Sequence, residues 1–220
     1  MENASGALVG LAASIGLVHT VIGVDHTLPF VMLARAQKWS LSRLLSITVL
    51  CGTGHVLSSV LLGLFGISIG VAIHQLELIE AQRGQMAAWL LIGFGLAYAT
   101  WSLLRKRRTH AHLDLAPDLS QERKRRRVLT VWSLFIVFVL GPCEPLIPIL
   151  MAPAFDHMWT TVAGVVLVFG LVTIGTMCVL VTIGYYGLKL PAFSFLERHV
   201  HTVSGLAIAA SGLAIQLLGI

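Results

Sequence analysis

The apolar first stretch of the chain contains the segment HTVIGVDH, which places His19, Asp25 and His26 among hydrophobic residues. Ionisable groups in such a stretch cost several kcal/mol to bury, so they indicate a functional site. The two histidines are seven residues apart, which puts them on one face of a continuous helix, about 10 Å apart along its axis. Gly23 and Pro29 lie on either side of Asp25 and His26 and are expected to interrupt the helix. This break would bring Asp25 and His26 towards a common cavity.

Two further apolar stretches carry groups of the same kind. His55 stands in LCGTGHVLSS, and Cys143 and Glu144 stand in GPCEPLIP. Imidazole, carboxylate and thiolate ligands together suit a borderline divalent metal such as Ni²⁺, Co²⁺ or Zn²⁺. The metal-site residues predicted on this ground are His19, Asp25, His26, His55, Glu144 and Cys143.

Simpler interpretations of the same residues stay open. A single intramembrane histidine often serves only as a hydrogen-bond donor between helices. Asp25 and His26 could instead form a proton relay. Cys143 alone is typical of a small buried hydrophobic residue, whereas a buried carboxylate such as Glu144 needs a partner or a proton. The cluster as a whole therefore carries the prediction, and no member carries it alone.

The composition indicates the environment of these groups. The chain has 220 residues, of which 56% are hydrophobic and 11% charged, and its mean hydropathy is +0.87. A soluble domain has about 25% charged residues, and apolar runs of 18 or more residues are long enough to cross a bilayer. We therefore expect a helical membrane protein in contact with the lipid bilayer. Its six predicted spans are approximately 5–34, 43–73, 86–104, 128–153, 160–188 and 203–220.

The basic residues predict the orientation of these spans. Fourteen of the 15 Lys and Arg residues fall on one side, nine of them in the basic loop 105–127, and only Arg83 falls on the other. The positive-inside rule places the basic loop in the cytoplasm and both termini outside the cell (inner) membrane. Segments 74–85 and 190–202 are predicted to be interfacial connectors. Because the charge is concentrated in loops, we expect no nucleic-acid partner. The three cysteines indicate no disulfide framework.

The two halves of the chain resemble each other. Residues 23–32 align with 142–151 at an offset of 119, so that Asp25 meets Glu144, and weaker matches follow in the same order. A three-span unit that occurs twice must be inserted in opposite orientations, as in many secondary transporters. The predicted fold is an all-α membrane protein of six transmembrane helices, with helices 1 and 4 broken. Its parts are a first three-helix repeat (1–104), the basic loop (105–127) and a second, inverted repeat (128–220).

The segment HTVIGVDH, followed by GHVLSSV in the second span, resembles the nickel/cobalt transporter superfamily. The His-x5-Asp-His spacing is one residue longer than the His-x4-Asp-His of that superfamily and is more similar to the UreH-like branch, which is grouped with TauE/SafE sulfite exporters. The resemblance implies metal-site roles for His19, Asp25, His26 and His55. It implies a membrane transporter of a divalent metal such as nickel or cobalt, with no enzymatic activity and no resident cofactor. A metallochaperone or accessory protein is a candidate partner.

Two alternatives follow from other features. GPCEPLIPI also resembles a segment of the CcdA/DsbD transmembrane thiol-electron carriers, which need one cysteine in each half so that a dithiol can cycle with a disulfide. Here the position equivalent to Cys143 is Val24, so we rank this function second. Export of a small anion such as sulfite ranks third, because no Lys or Arg is predicted in the interior of a span.

Overall fold

A computed structural model describes residues 2–108, 119–141, 143, 145–188 and 199–218 of the protein. The described part of the chain is helical and contains no strand, which confirms the all-α prediction there. Its helices are α1 (Glu2–Ile22), α2 (Leu28–Gln37), α3 (Leu41–Ser68), α4 (Ile73–Arg108), α5 (Leu119–Leu140), α6 (Leu146–Phe155), α7 (Trp159–Gly187) and α8 (Val200–Leu218).

Five of these helices contain segments that are long and apolar enough to cross a membrane: Ala4–Ile22, Leu41–Ser68, Ile73–Leu104, Trp159–Gly187 and Val200–Leu217. The apolar part of α5 (Val128–Leu140) and α6 are shorter. Large apolar side chains cover the outside of the bundle, and Leu171 and Leu217 are 71% and 80% exposed. Such a surface is unfavourable in water and favourable against lipid. The described helices therefore fit a multi-pass membrane protein.

Two breaks interrupt the bundle at the positions where glycine and proline occur in the sequence. Between α1 and α2 the chain forms a short 3-10 turn, Val24–His26, and Pro29 falls in the first turn of α2. Between α5 and α6 the helix ends at Leu140, and the next begins at Leu146 directly after Pro145. Proline is tolerated in a first turn because its missing N–H would have no helical acceptor there.

The predicted connector at 74–85 differs from the structure. These residues form the first turns of α4, which continues without interruption to Arg108. The segment HQLELIEAQRGQ contains strong helix formers and no proline. It also buries Leu76 and Glu80, which are four residues apart and share a face. The basic runs likewise continue α4 and begin α5, and 109–118 and 189–198 lie outside the described residues.

Helices α4 and α8 pack with their backbones in close approach. A Cβ atom on Gly95 would lie 2.9 Å from the Cα of Ala209, and one on Gly205 would lie 2.6 Å from the backbone N of Ala99. Small residues allow this approach, which in a membrane replaces the hydrophobic effect as the source of helix association.

We therefore expect Gly95→Leu to separate α4 from α8. The neighbouring backbone cannot yield as a flexible side chain does, so the cost is about 3 kcal/mol or more. For a chain of this size that cost lowers the melting temperature in detergent by about 6–12 °C. Gly93→Leu is the matched control, because a Cβ there meets nothing within 4 Å. Equal melting temperatures for the two variants would contradict this description of the packing.

Candidate metal centre

Three histidines from separate parts of the sequence meet inside the bundle. His19 lies in the last turn of α1, His26 in the 3-10 turn, and His55 in the middle of α3. One ligand atom from each ring can be chosen so that all three lie within 4.8 Å of one another. The ring of His26 lies 4.9 Å from that of His19 and 5.1 Å from that of His55, measured between centroids. Among the described residues, these three form the one cluster with metal-site spacing.

The first helix break creates this proximity. On a continuous helix His19 and His26 would be about 10 Å apart along the axis. Instead α1 ends at Ile22, and the backbone N–H of His26 donates to the carbonyl of Gly23 at 3.1 Å. This tight turn folds the ring of His26 back onto His19. The sequence-based expectation of a break that gathers Asp25 and His26 at a cavity agrees with this local geometry.

The Nδ1 atoms of two rings have fixed partners. Nδ1 of His26 lies 2.9 Å from Oδ1 of Asp25, and Nδ1 of His55 lies 3.2 Å from the carbonyl oxygen of Phe138. A carbonyl or an ionised carboxylate only accepts, so each Nδ1 carries the proton. The lone pair of each ring is then on Nε2. This arrangement, in which an acceptor orients the ligating imidazole, is the usual one in histidine metal sites.

The Nε2 atoms are left available. Those of His19, His26 and His55 are all buried, and among the described residues none has a hydrogen-bond partner. A buried polar atom without a partner costs about 1–3 kcal/mol. Three such atoms in one cluster therefore suit a ligand that accepts lone pairs, such as a metal ion. Three nitrogens bound to one ion at about 2.1 Å lie at most about 4.2 Å apart, so we expect the rings to move inward slightly on binding.

The end of α5 forms one wall of the site. Phe138 supplies the carbonyl that holds His55, and its ring lies 6.3 Å from that of His26 and 4.6 Å from that of Phe30. The last carbonyls of a helix lack helical partners and carry partial negative charge. The ends of α1 and α5 both lie at this site. Their carbonyl groups, together with Asp25, favour a cation there.

A cavity of about 610 Å³ contains the three histidines. It is bounded by α1, α3, α4, α8 and the end of α5, and most of its walls are apolar. Among the described residues, no Lys or Arg lines it. Its polar side chains are Ser14, His19, Asp25, His26, His55, Gln85 and Gln216.

The other predicted ligands have different positions. Asp25 contacts His26 and is not part of the three-histidine cluster. Cys143 is fully buried in the break between α5 and α6, where its backbone N–H donates to Oε2 of Glu80 at 3.3 Å. Glu144 lies outside the described residues. Direct ligation by Asp25, Cys143 or Glu144 stays a prediction.

Two groups near the site were not predicted from the sequence. One is the main-chain carbonyl of Phe138, which no side-chain pattern reveals. The other is a buried ion pair, Glu80–Arg83, on the first turns of α4. The i,i+3 spacing of opposite charges was visible in the sequence, but such pairs are common on exposed helix surfaces.

Gly23→Ala is expected to disturb the centre without straining the backbone. Gly23 has φ −66° and ψ 100°, which alanine adopts readily. However, a Cβ atom there would overlap Nδ1 of His26 and lie 3.0 Å from Oδ1 of Asp25. Displacing the ring should weaken metal binding about 10-fold or more, as loss of an orienting partner does. Isothermal titration calorimetry with Ni²⁺ measures this loss of affinity.

Gly10→Ala on α1 is the control, because a Cβ at Gly10 meets nothing within 4 Å. Equal Ni²⁺ affinities for Gly23→Ala and Gly10→Ala would show that the orientation of His26 is irrelevant to binding.

Comparisons of the chain with protein-family models, with curated proteins and with solved structures gave no match.

Proposed function

We propose that the protein is a membrane carrier for a divalent transition-metal ion, with Ni²⁺ or Co²⁺ as the leading substrates. The observation that carries the proposal is the buried cluster of His19, His26 and His55, with three unpartnered Nε2 atoms. Imidazole suits Ni²⁺, Co²⁺ and Zn²⁺ better than it suits Mg²⁺ or Ca²⁺, which prefer oxygen. A ligand set of three neutral nitrogens leaves coordination positions open, so the ion can exchange ligands as it enters and leaves.

Electrostatics support a cation as the substrate. Moving a bare dication into a medium of low dielectric constant is prohibitively costly, and protein ligands must replace its water. The nearby carboxylate of Asp25 and the carbonyl ends of α1 and α5 supply negative potential. The cavity lining contains no Lys or Arg among the described residues, so export of a small anion is less well supported. Cys51, Cys143 and Cys178 are all free cysteines, which gives the thiol-electron carrier no support.

The architecture proposed for this carrier is six spans in two inverted repeats. Helix contacts occur in corresponding pairs: α1 packs on α7 as α5 packs on α3, and α2 packs on α7 as α6 packs on α3. In this arrangement α1–α2 and α5–α6 are the broken first spans of each half. Rocking of one half against the other gives alternating access to a site at the breaks.

The proposed orientation follows the charge distribution, with 105–127 in the cytoplasm, both termini outside and the protein in the cell membrane. The resemblance to nickel/cobalt and UreH-like transporters supports the same substrate class. A metallochaperone that delivers or accepts the ion is a proposed partner.

Flux measurements test the proposal. Proteoliposomes that enclose a metal-sensitive dye should respond to external Ni²⁺ or Co²⁺ with the wild-type protein and not with His55→Ala. His74→Ala is the matched control, because His74 is exposed at the start of α4. If the wild type gives no more flux than protein-free vesicles, or if His55→Ala retains full flux, the proposed function is wrong.

A further inference from the structure

Glu80 and Arg83 form a buried ion pair one turn apart on α4, within the bundle. Glu80 is completely buried and Arg83 is 14% exposed. Burial of two charges costs several kcal/mol per ion, which mutual attraction repays only when further hydrogen bonds complete the pair. The bonds that complete this pair therefore indicate what it holds in place.

Those bonds reach three other parts of the bundle. Arg83 donates through Nη2 to Oγ of Ser58 on α3 at 2.9 Å and to the carbonyl of Val139 on α5 at 2.7 Å. Glu80 accepts the backbone N–H of Cys143 at 3.3 Å, just beyond the end of α5. The pair thus ties α4 to α3, to the end of α5 and to the second helix break itself.

Two of these contacts lead directly to His55. Ser58 donates its hydroxyl to the main-chain carbonyl of His55 at 2.8 Å. Val139 is the residue after Phe138, whose carbonyl holds Nδ1 of His55. Arg83 and His55 therefore bind adjacent terminal carbonyls of α5. A shift of this helix end changes the orientation of the His55 ring.

We infer that Arg83, held by Glu80, is a positioning residue of the metal centre: it fixes the end of α5 and the backbone of His55 so that the imidazole faces the other two histidines. The inference rests on the proposed metal-binding function. It gives the second helix break a role in a site whose histidines all belong to the first half of the chain.

Replacement of Arg83 by glutamine separates positioning from charge. Loss of the guanidinium leaves the Glu80 carboxylate near the site, and electrostatics alone would then make a cation bind more tightly. Loss of positioning instead makes it bind more weakly. The two explanations predict changes of opposite sign, so one titration distinguishes them.

The test is a Co²⁺ titration of the full-length purified protein in detergent, followed by the visible d–d absorption of the bound ion. We expect Arg83→Gln to weaken Co²⁺ binding about 10-fold or more, the cost typical of groups that orient ligands, and to change the absorption spectrum. Arg83→Lys, which keeps the charge but not the planar fork, should restore only part of the affinity. Gln82→Ala is the control, because Gln82 is the exposed neighbour on α4 and should leave both readouts unchanged.

A second variant covers the case in which Arg83→Gln fails to fold. The double variant Glu80→Gln/Arg83→Gln removes both charges and leaves neither buried alone, so it should remain folded, and it should show the same weak binding and altered spectrum. A wild-type spectrum with equal or tighter Co²⁺ binding, in either variant, overturns the inference and leaves the metal centre intact. Failure of the wild type to bind Co²⁺ overturns both the inference about Arg83 and the proposed metal-binding function.

Discussion

His26→Ala is expected to abolish metal binding by the protein and, with it, transport. His26 is the middle member of the cluster: its ring is within 5.1 Å of both other rings, whereas those of His19 and His55 are 6.2 Å apart. Removal of this ring leaves two nitrogens on opposite sides of a void. Loss of a partner that merely orients a ligand costs 10–100-fold in affinity, so loss of the ligand itself should cost more than about 100-fold, or about 2.7 kcal/mol.

The measurement for His26→Ala is Ni²⁺ and Co²⁺ affinity of the purified variant, with proteoliposome flux beside it. The protein should still insert and elute as the wild type does, because α1 and α3 also pack on α7, and these contacts do not involve His26. His157→Ala is a suitable control, since His157 is exposed between α6 and α7. Retention of wild-type affinity by His26→Ala would exclude the cluster as the binding site.

Asp25→Ala is expected to have the next largest effect, a 10–100-fold loss of affinity. Its carboxylate accepts the Nδ1 proton of His26 and is a negative charge beside three neutral ligands. Without it the ring of His26 can take the other tautomer or rotate, so that Nε2 no longer presents a lone pair. The neutralised site also lacks compensation for a divalent charge.

Asp25→Asn separates these two contributions. The amide oxygen can still accept from Nδ1 while the charge is lost, so affinity should fall between that of the wild type and that of Asp25→Ala. Metal titrations of the wild type, Asp25→Asn and Asp25→Ala give the three affinities, which show how much of the effect comes from the hydrogen bond and how much from the charge. Asp156→Asn, at an exposed position after α6, controls for a general effect of charge. If Asp25→Ala binds as tightly as the wild type, Asp25 has neither role.

Much of the site was predictable because buried ionisable groups are rare and therefore conspicuous. His19, Asp25, His26 and His55 stand out in apolar sequence, and Gly23 and Pro29 mark the break between the first two helices. The juxtaposition of His55 with His26 was not predictable from spacing, because it depends on the tertiary packing that brings the ring of His55, on α3, to the ring of His26. The role of the Phe138 carbonyl was not predictable for a different reason: every residue has a main-chain carbonyl, and this one reaches His55 because it lies in the last turn of α5.

The prediction of a connector at 74–85 was wrong because it relied on hydropathy alone to place the helices. Glu80 and Arg83 lower the hydropathy of 74–85, which therefore resembles a surface connector. The structure instead buries the pair, because Ser58, Val139 and Cys143 supply the polar partners that water would otherwise provide. Hydropathy averaged over a window of sequence counts each charged residue as unfavourable, and it does not register that Glu80 and Arg83 have polar partners in the fold. Likewise, the similarity of the two halves predicted two breaks but not that the end of α5, at the second break, would hold a histidine of the first half.

X-ray absorption spectroscopy of the Ni²⁺-loaded protein tests the metal centre most directly, because it counts the imidazoles bound to the ion. The three histidines of the cluster predict a signal from three imidazoles in the wild type and a reduced imidazole signal in whatever Ni²⁺ His26→Ala retains. A coordination shell of oxygen or sulfur without imidazole, or a shell unchanged in His26→Ala, would contradict the assignment of this cluster as the metal site.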